Sequence, residues 1–125
     1  MATEQTAGRA DMASSLGRMA LIWGPGVAAF SLAGPFGGWA RTAGWTLGLL
    51  WMAGMCLWNW ARCGRVHCMF TGPFFLAMAA ATVLMGFGLL PHGPTAWSIL
   101  GDGATLGGVA LFFVPEWIWG RYWRR

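Results

Sequence analysis

Cys56-Leu57-Trp58-Asn59-Trp60-Ala61-Arg62-Cys63-Gly64-Arg65-Val66-His67-Cys68 is the stretch on which the fold turns. It holds all 3 cysteines, one of the 2 histidines and two of the 8 basic residues. On its N-terminal side lies the apolar run Trp45 to Ala61, and on its C-terminal side Met69 to Leu90. Each run is close to the ~20 apolar residues that cross a bilayer core as a helix. The stretch therefore reads as the turn between two membrane helices, with Arg62 to Cys68 as a short polar loop.

Working outward, the composition supports a lipid solvent. The 125 residues are 57% hydrophobic and only 10% charged. A soluble domain carries about 25% charged residues, so a water-facing surface is out of reach. The 20 glycines and 10 tryptophans also fit, because Gly is tolerated in membrane helices and Trp gathers at their interfaces. All 8 basic residues are arginine, and the net charge is +4. No basic stripe with interleaved aromatics is present, so nucleic acid is not an expected partner.

Two further runs complete an all-α, polytopic membrane protein of four transmembrane helices. Met19 to Ala40 is interrupted by Pro25 and Pro35 and predicts a kinked helix. Arg41 to Gly44 reads as its tight connection to the second span. Thr71-Gly72-Pro73 reads as the opening of the third span, with Thr71 as a cap and Pro73 in the first turn. Pro91 to Thr95 is a turn, and Trp97 to Gly120 is the fourth span. The expected organisation is an N-terminal cytoplasmic arm (1–18) without a signal-peptide pattern, a transmembrane domain (19–120) and a basic tail (121–125).

Arginine sets the orientation. With both termini cytoplasmic, Arg9, Arg18, Arg62, Arg65, Arg121, Arg124 and Arg125 lie inside and only Arg41 outside. That bias follows the positive-inside rule for a multi-pass protein of the bacterial inner membrane. Close helix packing is expected at the small-residue pairs Gly34/Gly38, Gly44/Gly48 and Gly103/Gly107.

The polar residues near the spans suggest chemistry. Three cysteines cannot form a complete disulfide framework, and on the cytoplasmic side thiols stay reduced. Cys56 and Cys63 are two helical turns apart with Asn59 between them, so one helix face carries all three. Gly64 permits the chain reversal that returns His67 and Cys68 towards Cys63. Cys56, Cys63, His67 and Cys68 are thus candidate ligands for a thiophilic ion, Hg(II), Cu(I) or Zn(II). Arg62 and Arg65 would favour the thiolate. The spacing matches neither a zinc finger nor a haem attachment signature. Asp102 is either a pathway carboxylate or a helix-start charge. His92, in the outer loop, is a candidate first contact for the ion. Glu116 is expected to pair with Arg121, and the methionines to serve packing.

Asn59-x-x-Arg62-Cys63-Gly64-Arg65-Val66-His67-Cys68-x-x-Thr71-Gly72-Pro73 resembles the signature of a group of small prokaryotic membrane proteins. In layout the chain is also similar to the small mercuric-ion transport membrane proteins. Those carry a cysteine pair in a membrane helix and further cysteines in a cytoplasmic loop. The likeness is partial: Cys56 stands alone, and Cys63 and Cys68 correspond to the loop cysteines. It implies a non-enzymatic protein that binds a soft ion and passes it inward by thiolate exchange to a cytosolic thiol acceptor. An accessory subunit of a larger membrane complex is the alternative, and a homodimer is compatible with either. A thiol oxidoreductase ranks last, because Cys63 and Cys68 do not form a Cys-x-x-Cys pair.

Overall fold

The computed structural model describes residues 15–90 and 93–120. Among them run four α-helices: α1 (Leu16–Ala33), α2 (Gly38–Cys63), α3 (Val66–Gly86) and α4 (Pro94–Trp119), with a short 3-10 turn at Gly34–Phe36. No strand occurs among the described residues. The His92 and C-terminal arginine expectations fall outside them.

Ser15 starts α1 by accepting a hydrogen bond from the Arg18 backbone N–H at 3.2 Å, which satisfies one of the helix's orphan donors. The helix runs through Pro25 and ends before Pro35, which sits in the 3-10 turn. Gly37 then takes a positive φ of 67°, and α2 begins at once. The connection expected at Arg41 to Gly44 thus falls earlier, and Arg41 lies inside α2. Its Nε donates to the Gly34 carbonyl at 2.9 Å, and its guanidinium lies against the rings of Trp45 and Trp97.

α2 is the hub. It packs on α1 and on α3, and α4 packs on α3. Its buried face, Trp45, Gly48, Leu49, Met52, Ala53, Cys56 and Asn59, recurs at helical spacing. Gly48 lets α1 come close: a Cβ there would sit 2.7 Å from the Gly26 carbonyl oxygen. Gly44 is equally tight against Ala33. The Gly44/Gly48 pair is therefore a contact face, whereas a Cβ on Gly103 would meet nothing. Rings fill the space between helices, with Phe30 stacked on Trp45 at 4.3 Å and Trp23 edge-on to Phe75 at 5.7 Å.

Three segments are long and apolar enough to cross a membrane: Leu16–Phe36, Val66–Gly86 and Pro94–Trp119. α2, at 26 residues, is long enough but carries Arg41, Thr42, Asn59 and Arg62 within it. Of these, Asn59 is fully buried and Arg41 and Thr42 are half-buried, while Arg62 is exposed at its end. The apolar windows of α1 and α4 are each only 11% buried, so these two helices present most of their surface outward.

Candidate functional site: a thiol, imidazole and carboxylate cluster

The expected polar loop from Arg62 to Cys68 is much shorter in the structure. α2 continues to Cys63, and Gly64 adopts the left-handed conformation (φ 67°, ψ 30°) that ends it. The Gly64 N–H donates to the Trp60 carbonyl at 2.7 Å, a C-cap that glycine accepts without Cβ strain. Arg65 is extended, and α3 starts at Val66. The loop is thus two residues, and every residue from Gly64 to Cys68 is buried. Thr71 and Pro73, expected at the helix opening, lie inside α3. Thr71 is buried and its hydroxyl donates to the His67 carbonyl at 2.9 Å.

This tight turn drives Arg65 and His67 into the bundle, where the last turns of α4 meet them. Arg65 donates through Nε to Glu116 Oε1 at 2.6 Å and through Nη2 to Oε2 at 3.2 Å, a forked, charge-assisted pair. His67 Nδ1 lies 2.5 Å from the same Oε1. Glu116 therefore bonds Arg65 of the α2–α3 turn and His67 of the first turn of α3, both far away in sequence; the expected pairing with Arg121 lies outside the described residues. Burial calls for these partners: Arg65 is 6% exposed and His67 1%, and such groups are retained in an apolar interior only when partnered.

The carboxylate also orients the imidazole. It can only accept, so the proton of a neutral His67 sits on Nδ1 and Nε2 is left as the acceptor. Nε2 faces Cys68 Sγ at 3.3 Å. The ring face rests on Phe112, with centroids 4.2 Å apart. Cys68 is fully buried, as are Cys56 and Asn59. Cys56 packs with Cys68 in one cluster with Ile22 and Met55.

Asn59 extends the set towards the surface. Its Nδ2 donates to Cys68 Sγ at 3.5 Å, and its Oδ1 accepts from Cys63 Sγ at 3.5 Å. Cys63 Sγ also donates to the Asn59 carbonyl at 3.0 Å. All three cysteines are free thiols. They form a ladder, with Cys56 and Cys68 inside, Asn59 as the rung, and half-buried Cys63 at the end of α2. No protein-family model matches the chain, and neither does any curated protein or solved structure.

The sequence expectations divide accordingly. Cys56, His67 and Cys68 come together, with Asn59 between Cys68 and Cys63. Among the described residues, however, no three His, Cys, Asp or Glu side chains are placed to hold one ion together. Arg62 is exposed at the end of α2, and Asp102 is exposed on α4, away from the cluster. Glu116 is the residue that sequence reasoning missed as a site member. A usable signal existed, since an acid near a span demands a buried partner.

Proposed function

We propose that the protein spans the membrane four times with both termini in the cytoplasm and binds one soft metal ion, Cu(I), Hg(II) or Zn(II), at Cys68 and His67. The ion is handed along the sulfur ladder between Cys56, Cys68 and Cys63, and leaves to a cytosolic thiol acceptor. One observation carries this reading: Glu116 fixes His67 so that Nε2 points at the Cys68 thiol 3.3 Å away. Metal-binding histidines are commonly oriented by a carboxylate on the other ring nitrogen. A tetrahedral ion with metal–sulfur and metal–nitrogen distances near 2.3 and 2.1 Å separates its ligand atoms by about 3.6 Å. Opening the present pair by a few tenths of an ångström reaches that spacing. Complete burial of Cys68 suits a small ion better than an organic substrate.

Support for the orientation comes from the arginines, with one adjustment. Arg65 is engaged by Glu116, so it counts for less as a topology signal. Arg18 and Arg62 on the inner side and Arg41 on the outer keep the bias.

The test is Cu(I) binding by the purified protein under reducing conditions, in competition with a colorimetric chelator. One ion per chain is expected, lost in Cys68→Ser. Glu116→Gln weakens binding about 10- to 100-fold by releasing the imidazole. Cells expressing the protein become hypersensitive to Hg(II), and Cys63→Ser removes that phenotype while binding remains. No retained ion, or retention unchanged in Cys68→Ser, would overturn the reading. The alternative, an accessory subunit, is favoured by the outward-facing surfaces of α1 and α4. Stoichiometric copurification with another membrane protein, and no metal, would establish it.

A further inference from the structure

A cavity of about 690 Å³ opens between α1 and α4, with α2 and α3 as its floor. Trp23, Val27, Met52, Phe75, Thr105 and Phe112 are among its walls. No lining residue is charged, and only Ser31 and Thr105 bear hydroxyls. The Thr105 hydroxyl already donates to the Gly101 carbonyl at 2.9 Å. The volume falls within the roughly 300–1,000 Å³ of ligand sites, yet nothing in it would anchor a polar head.

Its shape selects the occupant. Along α1 it extends from Met19 to Ser31, about 18 Å at 1.5 Å per residue. One leaflet of the ~30 Å hydrocarbon core is about 15 Å deep, so the groove matches the reach of a single lipid tail. The Met19 end is flanked by exposed Arg18, whose charge complements a phosphate at the membrane surface.

We infer that this groove holds one acyl chain of a membrane phospholipid, with its headgroup at the Arg18 end of α1. The chain lies against Trp23 and Phe112. Phe112 separates it from the His67 ring, so the tail backs the wall on which the imidazole rests.

The test uses the full chain in nanodiscs containing a phosphatidylglycerol with a mid-chain diazirine. After illumination, adducts on Trp23, Phe75 and Phe112 should exceed those on the outward Ile99 and Leu106 by about tenfold. Val27→Trp and Thr105→Phe, both at exposed positions, fill the groove and should erase that excess. Native mass spectrometry should retain one phospholipid per chain, lost in either variant. Equal labelling of groove and outward face, or labelling that survives both variants, overturns the proposal. So does an isoprenoid probe that labels the groove while the phospholipid does not, or a dimer that shields it.

Discussion

At the scale of single residues, Glu116 does most to hold the cluster. Its carboxylate is the common acceptor for Arg65 and His67. Removing one partner of a buried pair leaves the other charge unpaired and costs about 3–5 kcal/mol. Glu116→Ala should therefore lower the thermal unfolding midpoint in detergent markedly. Arg65→Met combined with Glu116→Leu should recover most of the loss, because no unpaired charge remains. Additive losses across that cycle would show that the pair is solvated instead. The cysteines and His67 were legible in the sequence because their residue types are rare and clustered. Their burial was not, since a stretch with two arginines and a glycine reads as a surface loop until a remote acid is brought to it. Glu116 lies 51 residues from Arg65, and only the antiparallel packing of α3 and α4 joins them. Nearness in sequence pointed to Arg121.

At the scale of elements, two glycines set the geometry. Gly64 turns α2 into α3 within two residues through its left-handed conformation. A β-branched residue there is strained by roughly 1–2 kcal/mol. Gly64→Val should lower the unfolding midpoint and, by lengthening the turn, expose Cys68 to thiol-alkylating reagents that the native burial excludes. Unchanged Cys68 labelling would mean the turn does not control the cluster. Gly48 sets the approach of α1 to α2, with no room for a larger side chain beside the Gly26 carbonyl. Gly48→Leu should cost about 1–3 kcal/mol by overpacking, read as a lower midpoint, whereas Gly103→Ala on an open face should be silent. The lengths of the two apolar runs predicted α2 and α3. They did not predict the boundaries, because Arg41 and Thr42 look like loop residues. Inside α2, however, Arg41 is satisfied by the Gly34 carbonyl and two indole rings.

At the scale of the whole molecule, composition alone indicated helices in lipid, since so few charges cannot cover a water-facing surface. Three of the four helices carry that signature individually, and α2 does not. It is the inner helix, and its Arg41 and Asn59 side chains bond neighbouring residues. If α2 crosses with the others, reporter domains fused to the two ends of the chain lie on the same side. Fluorescent-protein fusions should be bright, and alkaline phosphatase fusions inactive, at both ends. Opposite results at the two ends would mean that α2 does not cross. The central claim, that thiol and imidazole converge on one ion, is tested most directly by X-ray absorption at the copper edge of the Cu(I)-loaded protein. The account predicts a first shell of sulfur together with one imidazole nitrogen, the nitrogen lost in His67→Phe and the sulfur reduced in Cys68→Ser. A shell of oxygen only, or one identical in both variants, would contradict it.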